Sequence, residues 1–343
     1  MDKTLPLGKL NFDILEDLLE KYPGIRDERL VVGPKVGEDS AIIDFPDRYL
    51  VAKTDPITFA MDEIGWYAVH INANDVAIRG AKPRWFQSAI LLPEGRATEG
   101  LVEEIFGQIS RACRELGVAV VGGHTEITYD LERPIVVGSM FGEVEKEKLV
   151  TTSGARPGDD ILLTKGIVIE GTAIIAREKQ RDLRKRGYDE GFIRKCMQYL
   201  YEPGISVVKD ALLANQFEIH SMHDPTEGGL ATGLYEMARA SGVGMLIYGD
   251  KIYILPESKR LCAEYGLDPL GTITSGSLVL ATDTENSQKV LETYINAGMR
   301  ASVIGRVEER SFGIKIIKDG KMTDLTWSEK DEITKIFEIR GRR

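Results

Sequence analysis

The spacing of apolar residues changes period several times along the chain. In NFDILEDLLEKY, Phe12, Leu15, Leu18 and Leu19 recur at helical spacing, and Pro23-Gly24 stop the pattern. Three short β-like runs follow: LVVG, SAIIDF and YLVAKTD. The stretch VHINANDVAIRGAKPRWF, from Val69 to Phe86, then reads as an amphipathic helix closed by a glycine. Its inward side carries Asn72 and Asp75 among Ile71, Val76 and Ile78, and polar groups there need a reason. A strand (WFQSAILLP), a long helix from Thr98 to Leu116 ended by Gly117, the apolar run VAVVGG and a strand in RPIVVGSMFGEVE complete this half.

At TTSGARPGDD the pattern gives way to a turn-rich segment, which predicts a domain boundary and two domains, 1–153 and 154–343. Beyond it a second alternation begins. ILLTKGIVIEG leads into a helix from Thr172, and a further helix runs through Val208 and Leu213. The strand FEIHSMHD precedes a helix from Gly228 to Ala240. Strands in GMLIY, SGSLVLAT and ASVIGRVE, a helix from Ser287 to Ala297 and a hairpin turning at Asp319-Gly320 follow. Both halves mix helices with strands, so the pattern predicts two α/β or α+β domains rather than a bundle or a sandwich.

Composition narrows the function classes. The 343 residues are 43% hydrophobic and 29% charged, as in an ordinary folded protein. No stretch is long enough to cross a bilayer and the N-terminus lacks a secretory core, which predicts a cytoplasmic protein without a membrane partner. The net charge of −10 speaks against a nucleic-acid surface, though not against a nucleotide bridged to carboxylates by divalent cations. The segment from Glu178 to Glu190 interleaves basic and acidic residues and reads as a solvated surface. Cys113, Cys196 and Cys262 are too widely spaced for a disulfide framework or a metal site, and read as reduced packing residues.

The chain has no GxxxxGK[ST], GxGxxG opening a helix, HExxH or GxSxG motif. It has instead acidic residues at the ends of strand-like runs: Glu38 and Asp39 in GEDSAIIDF, Asp55 in AKTDPIT, Asp75 in NANDVA and Asp224 in MHDPTEGG. Carboxylates at strand ends are free to converge on a metal, although Asp39 or Asp55 taken alone is more readily a turn cap. GGHTE (Gly122 to Glu126), read as a turn after the apolar run, and DPTEGG before a helix (Asp224 to Gly229) add glycines whose backbone N–H groups can meet an anion. Asn72, Asp75 and Arg79 fall on one helical face, read either as a site or as an internally satisfied network.

Taken in order, GEDSAII, TDPIT, HINANDVAIRGAKP, VVGGHTEIT, GDDILLTKGIVIEGT and HDPTEGGLATGL resemble the PurM-type ATP-binding superfamily. That superfamily includes aminoimidazole ribonucleotide (AIR) synthase, the hydrogenase maturation protein HypE, thiamine-monophosphate kinase and selenophosphate synthetase. HDPTEGGLATGL and NANDVAIRGAKP look most like HypE. The resemblance implies an N-terminal AIR-synthase-like domain whose sheet closes a barrel across a homodimer, and a C-terminal α+β domain. It implies ATP and Mg²⁺, with Asp39, Asp55, Asp75 and Asp224 as metal ligands and Asn74, Gly122, Gly123, His124, Thr125, Gly228 and Gly229 around the nucleotide. The polar side of the helix would then face phosphate and metal.

Several positions depart from the pattern. The chain ends KIFEIRGRR, with Cys262 its last cysteine, where HypE ends in a cysteine that is carbamoylated and dehydrated to a thiocyanate. PLGKLN stands where a glycine-rich segment is expected, Glu38 where the first Asp of GDD is expected, and His124 where HypE has Asp. These departures predict an ATP-dependent phosphoryl-transfer or activating enzyme acting on a separate small-molecule substrate. The alternatives are a non-catalytic nucleotide-binding or assembly protein with a hydrogenase-maturation partner, and AIR synthase itself, whose GVGTK-like signature is replaced by PITFA after Asp55.

Overall fold

The structure is a computed structural model and describes residues 12–22, 27–35, 37–38, 40–58, 62–328 and 330–338. The first half holds helix α1 (Phe12–Lys21), strands β1 (Leu30–Val32), β2 (Ala41–Asp44) and β3 (Arg48–Ile57), helix α2 (Ile64–Ala77), strand β4 (Lys82–Pro93), helix α3 (Glu99–Leu116) and strands β5 (Ala119–Thr128) and β6 (Ile135–Glu145). The strands form one sheet in the order β1-β2-β3-β6-β4-β5. All its pairs are antiparallel except β4–β5, which the α3 crossover makes parallel. Helix α3 starts where Thr98 Oγ1 accepts from the Leu101 N–H and stops where Gly117 turns left-handed, as its sequence predicts.

The second half contains β7 (Asp160–Thr164), α4 (Ile169–Glu178), α5 (Gln180–Lys185), α6 (Glu190–Gln198), α7 (Val208–Ala214), β8 (Ser221–His223) and α8 (Gly229–Ser241). It continues through β9 (Gly244–Tyr248), α9 (Pro256–Tyr265), β10 (Val279–Thr282), α10 (Thr284–Asn296), β11 (Ala301–Glu308), β12 (Ile314–Lys318), β13 (Lys321–Asp324) and α11 (Lys335–Glu338). Its sheet runs β13-β12-β9-β11-β7-β10-β8, mostly antiparallel. The strand read in FEIHSMHD shrinks to Ser221–His223, and α9 has no counterpart in the sequence reading. The charged segment is a helix and turn held by exposed ion pairs such as Arg184–Glu190 and Arg186–Asp182.

Two expectations are corrected. Helix α2 is not amphipathic: every residue from Ile64 to Ala77 is buried. An amphipathic helix needs a solvent side, and α2 has none, because the first sheet, α3 and α7 surround it. Gly138 on β6 permits the close approach, since a Cβ there would stand 2.5 Å from Asn72 Nδ2. The apolar core consequently runs on from Ile42, Val76 and Phe86 of the first half to Val208, Ala211 and Tyr294 of the second. The second correction concerns GGHT, which is not a turn. It lies inside β5, an edge strand paired with β4 from Trp85–Ala119 to Pro93–Thr128.

Candidate functional site

Alternation along β3 puts Lys53 and Asp55 on one face of the strand, and that face looks toward α2. Lys53 Nζ lies 2.8 Å from Asp75 Oδ2 on α2 and 3.6 Å from Asp55 Oδ2. Asp75 is buried, whereas the Asp55 side chain is 41% exposed. Two carboxylates and one ammonium therefore meet where the sheet and helix open to solvent. Ser40 Oγ donates to the Asp75 backbone carbonyl at 2.9 Å and ties the β2 entrance to the same turn of helix.

Asn72 and Asn74 of α2, and Arg79 just beyond it, are engaged inside the protein. Asn72 Nδ2 donates to the Ala68 carbonyl at 2.8 Å and reaches the Asp55 carbonyl at 3.4 Å. Asn74 uses both ends of its amide, donating to the Ile205 carbonyl and accepting from the Val207 N–H, each at 2.8 Å. Arg79, just past the helix and fully buried, pairs with Glu38 at 3.0 Å and donates to Thr152 Oγ1 at 2.6 Å. Asp75 alone of this group meets a residue that also reaches the exposed Asp55.

The glycine-bearing segments sit elsewhere. Asp55, Gly138, Ser88 and Gly123 stand in one row across β3, β6, β4 and β5. Three strand spacings separate the ends of that row, roughly 14 Å. Gly122, Gly123 and Thr125 are exposed on the edge strand, and His124 faces Glu126 at 3.5 Å. Gly228 and Gly229 both take left-handed backbone at the start of α8, with φ of 80° and 65°. The N–H that Gly228 was expected to offer a phosphate is taken by Asp331 Oδ2 at 2.6 Å. Asp331 Oδ1 accepts from Ile273 and Ile333, and burial lifts its carboxyl to about 6.

Asp224 is buried at the end of β8. Among the described residues no three His, Cys, Asp or Glu side chains gather into a metal cluster, so Asp55, Asp75 and Asp224 do not form one ligand set. Asp39 and the PLGKLN segment lie outside the described residues. All three cysteines are buried and free, and desolvation pushes each thiol up to about 12, far from the reactive thiolate range. The sequence reading missed Lys53, which its alternation with Asp55 could have disclosed, and Asp331, for which no local signal exists.

Residues 37–144 match the N-terminal domain of AIR synthase related protein, and residues 156–317 match its C-terminal domain. The chain belongs to the AIR synthase related family. A Methanocaldococcus jannaschii relative named for hydrogenase expression and formation is 31% identical, over 90% of this chain and 91% of its own. The carbamoyl dehydratase HypE of Cupriavidus necator is 32% identical over 83% and 78%. Among solved structures, the hydrogenase maturation protein HypE in complex with ATP superposes with a TM-score of 0.67 at 25% identity, covering 88% of this chain and 92% of that one. HypE in its complex with HypF superposes with a TM-score of 0.67 at 26% identity, covering 85% and 94%. HypE proteins stand among both its sequence relatives and its structural neighbours, and the chain keeps the two-domain mixed α/β architecture. No helix among the described residues is long and apolar enough to cross a membrane.

Proposed function

We propose that this chain is an ATP- and Mg²⁺-dependent enzyme of HypE-like type that activates an oxygen of a separate small substrate. The observation that carries the reading is the meeting of Asp55, Lys53 and Asp75 at the open margin between β3 and α2. Mg²⁺ needs only one or two protein carboxylates when phosphate oxygens complete its shell, and Asp55 and Asp75 fit that demand. Bound there, the ion would offset phosphate charge. Lys53 balances the buried Asp75 and presents an ammonium to an incoming anion. Asp224 remains a proposed metal ligand and the edge strand with Gly122, Gly123, His124 and Thr125 a proposed nucleotide contact, brought closer by a second subunit rather than within one chain.

The substrate is separate because the three cysteines are buried, which leaves no thiol among them to be carbamoylated. The edge strand β5, whose Val120, Val121 and Ile127 are 54%, 54% and 60% exposed, supports a homodimer. The solved complex of HypE with HypF favours a second reading, an assembly protein with a hydrogenase-maturation partner. Steady ATP hydrolysis stimulated by a metabolite would exclude a purely assembling role.

Calorimetric titration with ATP, with and without Mg²⁺, tests the nucleotide site. Binding is expected to require Mg²⁺ and to be lost in Asp55→Ala, whose exposed side chain spares the fold. No heat from the native protein with Mg²⁺ would overturn the reading.

A further inference from the structure

On the side of α2 away from β3 lies a second concavity. Trp66 and His70, one helical turn apart with ring centroids at 4.3 Å, form part of its wall. The end of α3, Lys165 just after β7, the segment Tyr199–Ser206, residues of α7, Tyr253 and the turn at Arg300 supply most of the rest, around about 1030 Å³. This space contains neither Asp55 nor Asp75 and is separated from them by the buried body of α2.

Its wall carries polar groups that the protein leaves unsatisfied. His70 is 1% exposed, and among the described residues neither ring nitrogen has a hydrogen-bond partner. Trp66 is 4% exposed, and among the described residues its indole N–H is likewise without an acceptor. Buried polar groups almost always find partners, so two adjacent exceptions lining one cavity point to a ligand that supplies them. Burial and the nearby Lys165 charge hold His70 neutral, its pKa lowered to about 3. A neutral imidazole offers one donor and one acceptor, and Trp66 adds a donor.

The rim adds charge. Lys165 is committed to Asp210 at 3.3 Å and to the Ser206 carbonyl at 2.6 Å. Lys209 and Arg300 are exposed and, among the described residues, form no ion pair with a carboxylate; Arg300 stacks on the Tyr253 ring at 3.7 Å. Glu115 and Glu202 also border the cavity, so recognition of an anion depends on the two uncommitted cations.

We propose that this cavity is a second small-molecule site, distinct from the nucleotide site, for a planar heterocycle bearing an anionic group. The heterocycle's donor and acceptor edge meets His70 and Trp66, and its carboxylate or phosphate meets Arg300 and Lys209.

The test follows the imidazole nitrogens of His70 by NMR in full-length protein labelled at its four histidines with ¹⁵N. Orotate and uridine 5′-monophosphate serve as probes, with uracil as the ring without charge and acetate as the charge without ring. Either probe is expected to shift the His70 signals saturably at millimolar concentration, with the controls at least about tenfold weaker. Response to orotate assigns a carboxylate and response to the nucleotide alone a phosphate. Arg300→Glu, an exposed change, should weaken binding about tenfold by reversing the rim charge. The same shifts should persist in Asp55→Ala, which separates this site from the nucleotide site. The proposal is overturned if neither probe moves His70, if the controls act equally, or if the response vanishes in Asp55→Ala.

Discussion

The side-chain amide of Asn74 and the backbone N–H of Val207 meet at 2.8 Å across the two halves of the chain, and the same amide donates to the Ile205 carbonyl. Asn74→Ala would strand a buried donor and a buried acceptor. The expected loss is about 3 kcal/mol, since each unsatisfied group costs roughly 1–3 kcal/mol. Urea unfolding with an unchanged m-value would show it. A loss below about 1 kcal/mol would mean that the clasp is replaced by water.

Lys53 balances Asp75, whose carboxylate is nearly out of solvent. Lys53→Met should destabilise the protein by about 3 kcal/mol in chelator, because one charge of a mostly buried pair is left alone. Added Mg²⁺ is expected to restore more stability to this variant than to the native protein, by binding the folded state. Thermal melts with EDTA and with Mg²⁺ compare the two directly, and equal Mg²⁺ responses would count against a cation site at these carboxylates.

On β5, Val121 and Ile127 are both exposed on the edge strand. The double change Val121→Lys, Ile127→Lys should convert a dimer to a monomer, because charged residues at an edge oppose strand pairing. Light scattering after size exclusion reads the mass. A native monomer, or a variant that stays dimeric, would remove β5 from the interface.

Glu170 is buried on α4, and desolvation lifts its carboxyl to about 7 although the nearby Ser275 acts to lower it. Its folded pKa lies above the unfolded one, so its contribution is fully present below about pH 4.5 and is lost as pH rises through 7. Glu170→Gln removes this titration while keeping the shape. Relative to native protein it should gain stability between pH 6 and 8, by up to about 3 kcal/mol. Denaturant midpoints at pH 5 and pH 8 provide the measurement, and a gain that does not grow with pH would show that Glu170 is ionised in the fold.

Much of the architecture was legible because it is written locally. The period of Glu99–Leu116, with Thr98 before it and Gly117 after it, defines α3, and Asp319-Gly320 defines the last hairpin. The burial of α2 was not legible, because Ile205, Val207 and Ala211, which cover it, lie more than a hundred residues away. The sequence could place Asp55 at a strand end and Asp75 on a helix, yet not the lysine between them. Nor could it show that Gly228 already holds the carboxylate of Asp331, because only the folded chain brings them together. A glycine pair before a helix signals an available N–H group without saying which anion has taken it.

The uninterrupted core beneath α2 also limits how this protein can be rebuilt. A chimera joined in the 146–159 connection, pairing this first half with a relative's second half, would set α2 against a foreign α7. Exchange of substrate preference by swapping halves therefore requires α2 and α7 to travel as one piece. A joint in the segment around Glu178–Glu190, for all its exposed ion pairs, does not meet that condition, because α7 lies beyond it and would still be parted from α2.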